Sequence, residues 1–102
     1  RKHTLSAMKK LKWTKTALGD VREMEEYYFP LNPFAAEKLM NRIYYAPEIL
    51  KTYPRLGRDG RVKGTREWIV TDTHYIVVYR SKSDSIEILR VIHTARIWPE
   101  AV

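Results

Sequence analysis

Apolar positions along this chain recur at two different periods, and the change of period divides it into parts. Over residues 14–50 they fall three and four apart. Ala17, Leu18, Val21, Met24 and Tyr28 form one stripe, and Ala36, Leu39, Ile43, Ala46 and Leu50 form a second. Such spacing lines one face of an α-helix, so two amphipathic helices are predicted. Thr14 stands as the first N-cap, and Pro30 is expected to stop that helix. Asn32 caps the second, with Pro33 at its first position, where a missing N–H costs nothing. With only two or three residues between them, the helices must form an antiparallel hairpin. Pro47 falls inside the second stripe. It should either kink the helix or restart it as a separate turn, because its ring clashes with the turn before it.

Beyond Gly64 the pattern becomes that of strands. Glu67–Val70, Tyr75–Tyr79 and Ile86–Ile92 are rich in Ile, Val, Tyr and Trp, and polar turns at Thr71–His74 and Ser81–Ser85 separate them. This predicts a three-stranded antiparallel meander. Lys9–Trp13 alternates weakly and reads as a short first strand with Leu11 and Trp13 on one face. The fold class is α+β: a short first strand, a helical hairpin, then the meander. If Val70 faces Tyr75, alternation sets Arg66 opposite Tyr79, and a slip of one residue would send every side chain to the other face. The hairpin residues Ala17, Leu18, Val21, Met24, Leu39, Ile43 and Leu50 should be buried against the strands. Tyr27, Tyr28, Tyr44 and Tyr45 read as core or hairpin edge. Trp68 and Trp98 are expected to pack, with Trp98–Pro99 closing the core after the last strand.

Composition adds a charge to this picture. The chain of 102 residues carries nineteen Lys and Arg against twelve Asp and Glu, a net charge of +7. That favours nucleic acid, ribosome or an acidic protein as partner. Residues 8–102 make one domain. Residues 1–7 (RKHTLSA) lack any period and read as an expression remnant or a disordered extension ahead of Met8. With no cysteine, neither a disulfide framework nor a thiolate metal site can form. No apolar run approaches the roughly 20 residues of a membrane span, so no membrane partner is expected, and the lack of cysteine makes a reduced cytoplasm the natural setting.

Lys51–Arg66, reading KTYPRLGRDGRVKGTR, holds six cations and one acid, and Pro54, Gly57, Gly60 and Gly64 mark it as a loop. It lacks the preceding strand and the Gly-Lys-Ser/Thr of a phosphate-binding loop. This basic loop runs directly into a sheet marked by Arg66, Arg80, Arg90 and, beyond the last strand, Arg96, with His93 at that strand's end. Arg90 lies between Leu89 and Val91, where an unpaired charge is expensive. It must be paired, with Glu67 or Glu87, or reach out of a concave face. His93 either caps the sheet edge through a backbone hydrogen bond or acts in proton transfer. His74 reads as an exposed turn residue.

The element order, together with PRLGR, GTRE, YIVVYR and ILRVIHTARIWP, resembles the RelE/ParE family of toxins, the toxin halves of bacterial type II toxin–antitoxin modules. The resemblance runs from Lys9 to Pro99. It implies a hairpin packed on a four-stranded, mostly antiparallel sheet, and a cognate antitoxin that neutralises the toxin in a hetero-oligomer. It implies no cofactor and no metal. The family divides by target. RelE-like members cut messenger RNA in the ribosome, which requires a base for the 2′-hydroxyl, cations for the phosphate and an acid for the leaving oxygen. The resemblance would assign those roles to His93, Arg66, Arg90 and Arg96. RelE-like members typically carry a closing tyrosine, and here the matching region holds Ile97 and Trp98, so that role is vacant. ParE-like members, often named for plasmid stabilisation, bind and poison DNA gyrase without catalysis. On that branch, which the vacancy favours, Arg58, Arg61, Lys63, Arg96 and Trp98 are the expected target-binding residues.

Overall fold

The computed structural model describes residues 9–96. The expectations placed on residues 1–7, Met8, Ile97, Trp98 and Pro99 lie outside the described residues. Strand β1 (Lys10–Trp13) leads into helix α1 (Lys15–Leu31) and helix α2 (Pro33–Tyr45), and a 3-10 turn follows at Ala46–Lys51. Strands β2 (Arg58–Asp59), β3 (Arg66–Ile69), β4 (Tyr75–Ser81) and β5 (Ser85–His93) complete one sheet, in the order β1-β5-β4-β3-β2. β1 runs parallel to β5, and every other pairing is antiparallel.

The helix boundaries follow their caps. Thr14 Oγ1 accepts the Ala17 N–H at 3.1 Å and opens α1. Pro30 does not stop this helix, which continues to Leu31. A proline so near the end removes only one bond from the last turn, and the Asn32 N–H then donates to the Tyr28 carbonyl at 3.1 Å. Asn32 Oδ1 accepts the Ala35 N–H and opens α2, so a single residue ends one helix and starts the next. Pro47 restarts the chain as the 3-10 turn, one of its two predicted outcomes.

The hairpin buries Ala17, Val21, Met24, Ala36, Ile43 and Leu50, together with Met40, which the predicted stripe passed over for its half-buried neighbour Leu39. Leu18 departs from expectation and is 45% exposed. It lies about 100° round the helix from Ala17, outside the stripe, whereas Asp20 on the opposite flank is buried. Trp68, Leu11 and Trp13 pack on the core as partly buried residues, and so does Tyr28, while Tyr27 and Tyr45 stay largely exposed.

The register between β3 and β4 sets Arg66 against Tyr79, as alternation required. Two features of the sheet were not anticipated. The basic loop contains a strand, since Arg58 and Asp59 pair with Glu67 and Arg66, giving five strands in place of four. In addition, the β4–β5 pairing slips between Val78 and Tyr79, which oppose Arg90 and Ile88 and leave Leu89 as an extra residue. A bulge of this kind resets the alternation. Ile86, Ile88 and then Val91 therefore join the main core, while Ile92 joins Ile76 and Val78 in a second cluster. Unbroken alternation would have turned Arg90 into the core in place of Val91.

Candidate functional site

The end of β5 and the flank of α1 enclose a concavity of about 540 Å³ whose lining includes Glu23, Tyr27, Tyr28, Tyr75, His93 and Arg96. Its floor is held by an ion pair that joins helix to sheet. The buried Asp20 carboxylate accepts from Arg90 Nε at 2.8 Å, from Arg90 Nη2 at 3.0 Å and from the Val91 N–H at 2.9 Å. The pairing predicted for Arg90 is present, but its partner is neither Glu67 nor Glu87. Glu67 belongs to Arg58 and Arg61, and Glu87 to Arg80 and Lys82. The bulge turns Arg90 off the core face, and α1 supplies the nearest acid. The hydrogen bonds that Arg90 donates to Asp20 raise the Arg90 pKa above its ordinary value, against the opposing effect of burial. The guanidinium keeps three of its five N–H groups, but its charge is balanced by Asp20 and its side chain is only 19% exposed.

Two phenols form one wall of the concavity, with Tyr28 and Tyr75 hydroxyls 2.9 Å apart. Burial first, and then this hydrogen bond, push the Tyr75 pKa well above the usual tyrosine range, so it stays a neutral phenol. The Tyr75 ring meets His93 edge-on at 5.1 Å, and His74 lies tilted against His93 at 5.8 Å. His74 itself is exposed in its turn, as expected. His93 Nδ1 accepts the Ala95 N–H at 3.0 Å. A neutral imidazole with Nδ1 so used carries its proton on Nε2 and is a donor there, so abstracting a proton would require giving up the Ala95 bond. This is the backbone cap that the sequence offered as one of two roles for His93.

The residues assigned to RNA cleavage fall into separate places. His93 and Arg96 share this concavity. Arg90 is committed to Asp20. Arg66 pairs with Tyr79 while His93 pairs with Tyr75, and these positions lie four residues apart along β4, about 13 Å in an extended strand. Arg66 turns instead to the Gly57 carbonyl, to which its Nη1 donates at 2.6 Å.

Of the residues expected to bind a target, Arg58 and Arg61 flank the buried Glu67 carboxylate. Arg58 Nη2 donates to it at 3.1 Å, the Arg61 N–H donates at 2.8 Å, and the Arg61 guanidinium lies 3.5 Å away. Both side chains remain more than half exposed, so they serve the fold and still present charge to solvent. Lys63 is exposed on the following turn and Arg96 on the rim of the first concavity. Trp98 lies outside the described residues. A second concavity, also about 540 Å³, opens at the opposite end of β4 beside Ser81 and is lined by Arg55, Asp59, Lys63, Thr65 and Arg66.

Asp20 is the functional-site residue that inspection of the sequence missed. Its signal was present: an acid at i+3 from Ala17 and i−4 from Met24 adjoins the apolar stripe, and Arg90 needed an acid. Among the described residues no group of three or more His, Cys, Asp or Glu could hold a metal ion, and no helix is long and apolar enough to cross a membrane.

With this geometry in place, comparison with known proteins gives consistent matches. The sequence model of the family described as ParE toxin of type II toxin-antitoxin system, parDE, matches residues 11–98. The protein named "Putative toxin Y4kP" from Sinorhizobium fredii is 39% identical over 94 residues, covering 92% of this chain and 97% of that protein. Toxin RelE2 of Caulobacter vibrioides is 29% identical over 90 residues, covering 88% of this chain and all of its own length. Among solved structures, a chain of the chromosomal ParDE toxin–antitoxin system from P. aeruginosa superposes with a TM-score of 0.78 at 28% identity. That match covers 86% of this chain and 98% of the other. A chain of the RelBE2 toxin–antitoxin complex from Mycobacterium tuberculosis shares the fold, with a TM-score of 0.56 at 21% identity over 88% of this chain and 95% of its own.

Proposed function

Because this chain belongs to the ParE toxin family of type II toxin–antitoxin systems, we propose that it inhibits DNA gyrase by binding, without catalysing a reaction of its own. The observation that carries this reading is the dispersal of the cleavage set. Arg66 and His93 stand at opposite ends of β4, Arg90 is spent on Asp20, and His93 Nδ1 is occupied by the Ala95 N–H. Acid–base cleavage of RNA needs its base, phosphate cations and acid around one scissile bond. Binding to a protein target has no such requirement: it needs a few Arg and aromatic anchors on an accessible surface. Arg58, Arg61, Lys63 and Arg96 are the accessible cations on which this interface would draw.

The neighbours solved as toxin–antitoxin complexes support a cognate antitoxin for this chain as well. With the toxin at +7, the antitoxin segment that wraps it should be acidic, disordered when free, and folded on the toxin as a helix or an added strand. Ribosome-dependent RNA cleavage is the alternative, favoured by His93 and Arg96 lining one concavity and by the likeness to Toxin RelE2.

The deciding experiment runs a gyrase supercoiling assay beside a ribosome-programmed RNA cleavage assay with the same purified protein. Loss of supercoiling with intact RNA is expected. Cleaved RNA that disappears in His93→Ala, with supercoiling untouched, would replace the gyrase reading with the alternative.

A further inference from the structure

Two turns at the Ser81 end of the sheet are clamped by neighbouring side chains, and each presents a cation. The first spans Pro54–Gly57. Tyr79, whose ring is fully buried, donates its hydroxyl proton to the Pro54 carbonyl at 2.7 Å and accepts the Gly57 N–H at 2.9 Å. Arg66 Nη1 donates to the Gly57 carbonyl at 2.6 Å. A Cβ on Gly57 would lie 2.8 Å from the Tyr79 ring, so only glycine lets this backbone sit on the phenol. Arg55 stands within this turn and is exposed.

The second turn spans residues 60–65. The Gly60 N–H donates to the Thr65 carbonyl at 2.8 Å, and the buried Thr65 donates to the Val62 carbonyl through its N–H at 3.1 Å and its hydroxyl at 2.6 Å. Lys63 is exposed beside Gly64, whose φ of +83° is left-handed and suits glycine. Between the turns lies the second concavity, with Arg66 on its floor.

The charges here are arranged unlike those beside them. Arg58 and Arg61 lean on Glu67, and Arg80 and Lys82 on Glu87. Arg55 and Lys63 have no side-chain ion pair or hydrogen bond among the described residues. The one acid in the lining, Asp59, is 95% exposed and only 3.7 Å from Arg66. Three cations on ordered backbone thus face a polar hollow that holds one outward-turned carboxylate. The hollow suits an anion. The exposed Arg58 and Arg61 extend the positive surface beyond its rim, which suits a run of charges better than a single ion. Its lining contains no aromatic ring on which a base could stack, so it can follow a backbone but not read a sequence.

We propose that this concavity binds the phosphodiester backbone of nucleic acid and that, on gyrase, it contacts the DNA duplex which that enzyme holds. The second half of the proposal rests on the gyrase reading. It makes the toxin a ligand of the enzyme–DNA complex, its phosphate site sharing Lys63 with the basic face proposed for the protein target.

The test measures binding of the full chain to a fluorescent 30-base-pair duplex of arbitrary sequence, and to a single-stranded RNA of equal length, across a salt series. The variants are the double substitution Arg55→Gln/Lys63→Gln and, as a control with the same charge change elsewhere, Lys12→Gln/Lys38→Gln. Circular dichroism confirms that each is folded. Removing two phosphate contacts should reduce the slope of log affinity against log salt by about two units and weaken duplex binding at least about tenfold. The control should change affinity less than about threefold. Equal losses in both doubles, or no binding by the parent protein, would overturn the site. Tighter binding to the RNA than to the duplex would overturn the assignment to DNA. Added to a supercoiling assay, the site double should inhibit at least about tenfold more weakly than the parent, and inhibition at parental strength would overturn the role on gyrase. If the parent protein leaves gyrase active while duplex binding behaves as expected, the target reading fails and the phosphate site stands.

Discussion

Replacing Asp20 by alanine tests the junction on which the first concavity is built. The carboxylate is 8% exposed and accepts three hydrogen bonds, two from Arg90 and one from the Val91 N–H. Removing it strands a guanidinium that is itself only 19% exposed and leaves the Val91 N–H of β5 without this acceptor. Breaking a buried ion pair from one side typically costs about 3–5 kcal/mol, because the surviving charge is desolvated and uncompensated. Arg90 keeps some access to water, so the lower end applies, about 3 kcal/mol. A domain of this size has about 5–15 kcal/mol in total, and each kcal/mol moves its melting temperature by about 4–8 °C. Asp20→Ala should therefore melt roughly 12–24 °C below the parent protein and unfold at lower guanidinium, with an unchanged denaturant slope. The double substitution Asp20→Leu/Arg90→Met removes both charges and should recover most of the loss. A cost under about 0.5 kcal/mol for Asp20→Ala would refute the reasoning, because Arg90 would then be satisfied by something other than Asp20.

Three other outcomes are expected. Tyr79→Phe deletes a hydroxyl used by two backbone groups, which should cost about 2 kcal/mol and accelerate amide exchange at Gly57; unchanged protection of that amide would show that the turn does not depend on the phenol. Burial raises the pKa of Tyr75 and of Tyr79 above 10.0, the Tyr28 hydrogen bond adding to the effect at Tyr75. Since the folded values lie above the unfolded one, this stability is intact below about pH 10 and is lost as pH rises beyond it. An alkaline absorbance titration should find at least two of the seven tyrosines ionising only as the protein unfolds, and joint ionisation of all seven in the folded state would contradict this. Finally, His93→Ala should leave gyrase inhibition within about threefold of the parent, whereas a general base would carry about 100- to 10,000-fold of a cleavage rate.

The parts of the fold that were legible in the sequence are those set by neighbours in the chain. Thr14, Asn32 and Pro33 announce the helices because a cap acts over three residues, and the short turn of Thr71–His74 fixes the register that sets Arg66 against Tyr79. What escaped depends on contacts between distant residues. Asp20 and Arg90 are seventy positions apart, and nothing local joins them. The bulge at Leu89 shows in the sequence only as a doubled apolar pair, Ile88–Leu89, that breaks the alternation of Ile86, Glu87 and Ile88, yet it decides which of Arg90 and Val91 enters the core. The two-residue strand Arg58–Asp59 is charged throughout and earns its pairing from Glu67 across the ladder, where no alternation could reveal it. Leu18 failed for a related reason: a helical stripe has a width, and which flank is covered depends on where the sheet lies. For the site, the types of residue were visible and their grouping was not. His93, Arg66 and Arg90 look like one constellation on paper, but in the fold Arg90 is paired with Asp20 at the floor of the concavity that His93 lines, and Arg66 lies apart in the second concavity.

The place of β5 has a consequence for how this protein comes into being. The strand made last among those described stands between β1 and β4, in the middle of the sheet's long ladders, and it receives Thr14 and Asp20 from the beginning of the chain. Until a ribosome has synthesised and released the chain through His93, β1 has no neighbour and the buried face of α1 has no floor. Contacts that span more than seventy residues also form late, because the intervening loop must close before they reward it. The nascent polypeptide therefore lacks the first concavity during most of its synthesis, because Val91 and His93 of the final strand must take their place beside α1 before it exists.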